Sequence, residues 1–330
     1  MTGNRITRRQ VSMALASAGA LGMLPVRARG EQTYPARPVR FILPFAAAGV
    51  ADITARVAAE KLGDKLGQRF VVENQPGPGG IAAARAVLSQ PPDGYTIGLV
   101  TNGTSISAAI YKALPFDPVK DFATISTIGA FDLVFATNVE SQFKTFDDFI
   151  SASRAQPGKL NVGTINVGGT QNLAAELFKA SAGLNFQIIP YRGTPDVIVA
   201  LLRNDVQLMV DFYAPMKSTL LDNKIRAVAT TGKERSPFFT AVPTVAEAGV
   251  PGYEVVSWNG VFAPHDTPAQ IIDILNKAIR EIVDTAEVKQ RYAELGIEAK
   301  ASTPEELKAR LAADIGKWAA VIERAGIPKQ

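Results

Sequence analysis

Short apolar runs and longer amphipathic stretches alternate along the chain from about Tyr34 onward. "VRFILPF" reads as a strand, and apolar positions at helical spacing predict a helix over Ile53–Leu66. "RFVVEN" is the next strand; the Gly/Pro-rich "QPGPGGIAAARAVLSQPPDG" reads as a loop, a short helix and a turn. "YTIGLV" is then a strand, and "TNGTSISAAIYKAL" leads into a helix. A second series of the same kind starts near "FDLVFATN". Thr145 opens the helix "FDDFISASRAQ", which Pro157-Gly158 closes. "KLNVGTI", "FQIIPY", "VQLMVDF" and "IRAVATTG" are strands. "NVGGTQNLAAELFKASAG" and "RGTPDVIVALLRND" are loop–helix units, the second with Thr194 as N-cap and Pro195 in the first turn. Two amphipathic helices end the chain, opening at Thr267-Pro268-Ala269-Gln270 and Thr303-Pro304-Glu305-Glu306, both read as capping boxes. Ile271, Ile272, Leu275 and Ile279 form a packing face on the first of them.

Strands alternating with helices predict an α/β fold with a mainly parallel sheet. Two such series followed by helices that return to the first predict two lobes joined by crossover strands, with a cleft between them. The expected division is residues 34–132 plus 258–330 for lobe 1 and 133–257 for lobe 2.

The first residues change the charge picture. Arg5, Arg8 and Arg9 precede an uncharged run from Val11 to Val26, and Val26-Arg27-Ala28 offers a small-residue cleavage site. Arg8-Arg9 fits a twin-arginine export signal, so residues 1–28 are expected to be removed near Ala28 and the mature protein to be periplasmic. A membrane-anchored N-terminal helix is the competing reading, against which the short apolar run argues. The formal charge of +4 equals the number of arginines in this segment, which holds no acid, so the mature chain is close to neutral. That removes the basic surface a nucleic-acid partner would need. Hydrophobic residues make up 47% of the chain and charged ones 20%, the balance of a globular protein with a sizeable core.

With no Cys, thiolate metal sites and Cys nucleophiles are excluded, and the single His265 cannot form a two-His metal site. His265 lies in the loop "FAPHDTPAQ" with no orienting partner nearby, which favours an exposed loop residue over a catalytic base. G-x-S-x-G, Walker A and G-x-G-x-x-G patterns do not occur, and no carboxylate pair is marked out as acid and base. No catalytic residue, cofactor or metal is expected.

The candidate chemistry lies at four strand-to-helix junctions: "PFAAAGVAD" (Pro44–Asp52), "TNGTS" (Thr101–Ser105), "NVGGTQN" (Asn166–Asn172) and "YRGTP" (Tyr191–Pro195). Ligands of open α/β sheets bind beyond the carboxyl ends of strands. Helix first turns there offer unpaired N–H groups and partial positive charge, which suits a small carboxylate. Hydroxyls of Thr104, Ser105, Thr164 and Thr170 and the amides of Asn102 and Asn166 add donors. Capping alone accounts for any single junction; four together point to a ligand site. Asp52 reads as a first-turn residue that favours the helix dipole. For Asp211 two readings stay open, a cleft group that reads a hydroxyl or ammonium and a structural strand-end carboxylate.

The chain resembles the Bug-type periplasmic solute receptors of tripartite tricarboxylate transporters over Tyr34 to Pro328. The markers are "PFAAAGVADITAR", "VVENQPGPGGIAAARAV", "PPDGYT", "LPFDPVKDF", "QPGKL", "AAELFK", "PYRGTPDVIVALL", "VPTVAEAGVPGYE" and "SWNGVFAP", in the family's order. The resemblance implies a type II periplasmic binding protein, a Venus flytrap that closes on its ligand. It implies that Phe45, Ala46, Ala47, Ala48 and Gly49, with the facing Asn166, Gly168, Gly169 and Thr170, hold one carboxylate through backbone groups and bridging waters. It further implies a small organic acid as ligand (a di- or tricarboxylate, an acidic amino acid or an aromatic acid), a membrane permease as partner and a receptor acting as a monomer. A sensor docking on a signalling receptor, or an exported enzyme on the same fold, are the alternatives. Three positions depart from the family's habit: Ala48 where Gly is frequent, Asn172 where His is frequent, and Arg192 where Lys is common. Arg192 either clamps a distal carboxylate or is a solvated charge.

Overall fold

The computed structural model describes residues 34–47 and 49–330. The expected signal segment and Ala48 lie outside the described residues. Nine strands, numbered in chain order, form one sheet in the order β2 (Phe70–Asn74), β1 (Val39–Leu43), β3 (Thr96–Thr101), β9 (Val256–Pro264), β4 (Phe122–Asn138), β7 (Leu208–Phe212), β5 (Asn161–Ile165), β6 (Gln187–Tyr191), with β8 (Ile225–Thr230) also on β4. The first part is β1 (Val39–Leu43), α1 (Val50–Leu66), β2 (Phe70–Asn74), a short 3-10 turn (Pro78–Gly80), α2 (Ile81–Leu88), β3 (Thr96–Thr101) and α3 (Asn102–Ile110). β1 runs parallel to β2 and β3, as the crossover helices require. The second part is α4 (Phe146–Ala155), β5 (Asn161–Ile165), α5 (Thr170–Ser181), β6 (Gln187–Tyr191), α6 (Thr194–Leu202), β7 (Leu208–Phe212), α7 (Tyr213–Leu221) and β8 (Ile225–Thr230). β5 is parallel to β6 and β7.

The two parts are joined by β4 (Phe122–Asn138), longer than the strand expected at "FDLVFATN". Its first stretch, Phe122 to Asp132, pairs antiparallel with β9 (Val256–Pro264). From Leu133 onward it pairs with β7 and β8 instead. One strand thus serves both lobes of the α/β fold, and the chain returns through β9. The return is fastened at Thr231, a buried residue whose hydroxyl accepts from Leu133 N–H (2.8 Å) and donates to the Val255 carbonyl (2.6 Å).

Three C-terminal helices follow: α8 (Ala269–Val283), α9 (Ala286–Ala293) and α10 (Pro304–Arg324). Ile272, Leu275 and Ile279 of α8 join the core beneath α1, with Ile271 packed at its edge. α10 spans the molecule. Leu307 and Leu311 lie in a core with Trp258, whereas Trp318, Val321 and Ile322 lie in the core of the second part with Phe135 and Phe178. Arg310 of α10 donates to the Val256 carbonyl (3.2 Å), and Lys317 to the Glu254 carbonyl, so the helix also grips the return strand.

Capping differs from the sequence reading in two places. Thr303 and Glu306 form the expected reciprocal box (3.1 and 2.8 Å), as do Thr145 and Asp148. Thr267, however, donates to the Pro264 carbonyl (2.7 Å), and Pro268 itself takes the N-cap position of α8. Thr194 is not an N-cap either: Gly193 is, and the Thr194 hydroxyl turns inward to Asp211. In both, the hydroxyl donates to a buried acceptor, and its oxygen accepts from no N–H of the helix end.

Candidate functional site

The carboxyl ends of β1 and β3 and of β5 and β6 carry the four junctions singled out in the sequence, and Asp211 lies near the end of β7. α1, α5 and α6 start from Gly49, Gly169 and Gly193, none of which supplies a side-chain cap. The starts of α1 and α5 thus carry no side-chain cap, as an anion-binding helix end requires, whereas in α6 Pro195 has no N–H and the Asp196 N–H bonds the Gly193 carbonyl (3.1 Å). α3 is different: Thr101 and Thr104 form a capping box, with Thr104 Oγ1 accepting from Thr101 N–H (3.2 Å). The Thr104 hydroxyl is thus engaged locally.

The first loop is held from behind. Phe45, Ala46, Ala47 and Gly49 are exposed, and the Asn74 amide donates to the Phe45 carbonyl (3.0 Å). Asn74 also donates to Asp52 Oδ1 (2.8 Å), and Arg56 donates to Asp52 Oδ2 (2.9 Å). Asp52 is buried and occupied with this network, which fixes the first turn of α1. The charge of Asp52 is neutralised by Arg56, so it does not repel an anion approaching the helix end.

Asn102 is the meeting point of the two parts. It is fully buried; its amide donates to Thr170 Oγ1 at the start of α5 (3.1 Å) and its oxygen accepts from Trp318 Nε1 of α10 (2.8 Å). Nearby, a Cβ on Gly168 would stand 2.8 Å from Ile110 Cδ1 of α3, and Gly168 has φ +75°. Only glycine meets both demands at once. Asn166 also has positive φ (44°), which Asn tolerates, and its carbonyl accepts from Gly169 N–H (3.1 Å). Asn172 serves this loop internally, accepting from Gly168 N–H (3.0 Å) and donating to Thr164 Oγ1 (3.5 Å). On the other flank, Val50 of α1 and Phe212 of β7 pack into one cluster with Phe131, whose ring lies edge-on to Phe212 at 5.1 Å.

Asp211 is nearly completely buried and accepts from Gln171 (2.8 Å), Thr194 (2.5 Å) and Phe212 N–H (2.8 Å). It ties the first turns of α5 and α6 to the end of β7. Burial raises its pKa, and the three donors oppose that shift. Arg192 is exposed, with no hydrogen bond or ion pair among the described residues. Ser105 is fully buried and its hydroxyl has no partner among the described residues. The arrangement brings Asn102 and Thr170 into contact and sets the Gly168 loop against α3; Arg192 stands apart.

Several groups gave no sequence signal of their own. Gln171 and Trp318 acquire their roles from tertiary partners far along the chain, and Thr194, whose sequence signal was that of an N-cap, serves Asp211 instead. Asp132 is another group without a signal. It sits where β4 changes partners, with its carboxylate 2.6–2.8 Å from where a Cβ on Gly232 would be. Burial, with smaller contributions from Glu298 and Glu254, raises its pKa to about 7 against an opposing effect of Lys300. Among the described residues no group of His, Cys, Asp and Glu could hold a metal ion.

The geometry has relatives. The chain is 32% identical to Protein BugT of Bordetella pertussis over 318 residues, 96% of each chain. A solved structure titled "R. palustris Rpa4515 with adipate" superposes with a TM-score of 0.77 at 32% identity, covering 89% of this chain and 99% of that one. MatC from Rhodopseudomonas palustris with bound malate superposes with a TM-score of 0.72 at 29% identity, covering 88% of this chain and 100% of that one. The profile of the family described as "Tripartite tricarboxylate transporter family receptor" matches residues 54–327. With its two α/β lobes and glycine-started helices at the strand ends, the chain belongs to the tripartite tricarboxylate transporter receptor family.

Proposed function

We propose that this protein is a periplasmic receptor that captures a small organic carboxylate and delivers it to a membrane permease of the tripartite tricarboxylate type. The observation that carries this reading is the contact between Asn102, just past the end of β3, and Thr170 in the uncapped first turn of α5, with the uncapped start of α1 beyond β1, the parallel neighbour of β3. Unpaired N–H groups from two lobes then converge where an anion would sit, with helix partial charges favouring it. Phe45 to Gly49 on one side and Asn166 to Thr170 on the other hold the carboxylate in this reading. Adipate and malate in the related structures have the same chemistry.

In this reading, residues 34–132 with 258–330 make lobe 1 and residues 133–257 make lobe 2, with α10 as a third tie between them. Residues 1–28 export the chain and are cleaved near Ala28. The monomeric receptor binds without transforming its ligand. Asp211 positions the α5 and α6 first turns, and Arg192 meets a distal carboxylate only if the lobes bring it inward on closure.

Ligand-dependent thermal stabilisation tests the proposal. One of malate, adipate, citrate, glutamate or benzoate should raise the Tm progressively with the logarithm of its concentration, adding about 2.7 kcal/mol of stability at a hundred times its Kd. A folded protein that none of these acids stabilises contradicts it.

A further inference from the structure

Buried polar atoms in proteins are nearly always hydrogen-bonded, so an exception calls for an explanation. Asn259 is such an exception. Its residue is 1% exposed, yet its amide nitrogen has no partner among the described residues. It belongs to "SWNGVFAP", a stretch to which the sequence assigned no chemical role.

The sheet register fixes where the Asn259 side chain lies. Asn259 pairs with Thr101, the last residue of β3, on one side and with Gly129 of β4 on the other. Directly paired residues share a face of the sheet. Leu99 and Val261, the next pair on that face, pack in the core with Ala55 and Ala58 of α1. A Cβ on Gly129 would meet Ile297 and Tyr292, and the Tyr292 hydroxyl bonds the Thr54 carbonyl of α1. Phe131 and Ser257, the following pair on this face, lie where Val50 begins α1. Asn259 is therefore on the face that α1 covers, at the carboxyl end of β3, by the uncapped first turn of α1. Two independent features coincide: a helix start without a side-chain cap and a buried amide donor with nothing to donate to among the described residues.

We propose that Asn259 is a ligand-binding residue whose side-chain amide donates to the carboxylate held at the first turn of α1. This rests on the carboxylate-receptor reading. It adds a contact from the return strand to the two loops. The donor is neutral, so it contributes orientation and selects an acceptor oxygen without adding a cation. An unpartnered amide is a cost in the free receptor that the bound acid removes. Because β9 is also the strand by which the chain returns between lobes, the contact links ligand arrival to the crossover.

The test compares the full-length exported receptor with Asn259→Leu, which keeps the shape and removes the donor. Calorimetric titration with malate, adipate, citrate, glutamate and benzoate should show the best acid binding at least tenfold more weakly to the variant. The ligand-free variant should melt no lower than the wild type, since no bond is lost. Asn259→Asp, which sets a carboxylate against the ligand, should lose binding further, and it serves as the second variant if Asn259→Leu folds poorly. Binding within twofold of wild type in the folded variants overturns this inference alone. A fall of several degrees in the ligand-free Tm of Asn259→Leu with unchanged affinity also overturns it, by making Asn259 structural. If the wild type binds no acid in the panel, the receptor reading itself fails and takes this inference with it.

Discussion

Thr231→Val removes one hydroxyl from the crossover and nothing else of size. Two buried backbone groups lose their partner: the Leu133 N–H at 2.8 Å and the Val255 carbonyl at 2.6 Å. The backbone bonds from Thr231 N–H to Leu133 and from Val255 N–H to Thr231 remain (3.0 and 2.7 Å). Each orphaned group costs about 1–2 kcal/mol, so the variant should lose about 2–4 kcal/mol. At roughly 2–4 °C per kcal/mol for a chain of this general size, the Tm should fall by about 4–16 °C. Thr231→Ser keeps the hydroxyl and should stay within about 1 kcal/mol of wild type. Circular dichroism melts and urea titrations read both variants. A Thr231→Val Tm within 1 °C of wild type would refute the claim that this hydroxyl fastens the two crossing strands.

Asn102→Ala should cost about 2 kcal/mol in urea denaturation, because it leaves the buried Trp318 N–H without an acceptor, and it should also weaken acid binding several-fold by removing the Thr170 contact; unchanged stability would show that the Trp318 bond contributes nothing. Asp132 gives a pH signature. Its pKa in the folded protein is about 7 against an ordinary 3.8, so the folded form holds the proton more tightly. Stability is then fully present below about pH 4 from this group and declines as pH rises toward 7, at most about 1.4 kcal/mol per pH unit. Asp132→Asn should flatten that decline and be the more stable form above pH 7; parallel stability–pH curves for the two proteins would contradict the assignment. Ala48→Gly should alter acid affinity or preference if the methyl restricts the first loop, and identical titrations would make it packing only.

Much of the fold is written in local pattern. The alternation of "VRFIL", "FVVEN" and "TIGLVT" with amphipathic stretches gives the parallel sheet, because burial on both faces demands apolar runs and crossover demands helices. The double role of β4 is not legible that way. "FATISTIG" alternates poorly, and its buried polar positions Thr124 and Ser126 become tolerable only because their hydroxyls donate to the Pro304 and Ser302 carbonyls at the start of α10. The candidate site was legible where small residues follow a strand, at Phe45–Gly49 and Asn166–Thr170. Side chains whose roles come from distant partners were not. Asp211 has no local sign that Gln171 and Thr194 converge on it, and Asn259 looks like any polar residue in a strand until the register places it under α1.

In the proposed receptor the two lobes converge on one carboxylate. Native mass spectrometry of the receptor purified from its periplasm reads this directly. A single small organic acid should be retained, one per chain, and released on mild activation. A chain that carries no small molecule, and that then takes up none of malate, adipate, citrate, glutamate or benzoate when they are added, would contradict it.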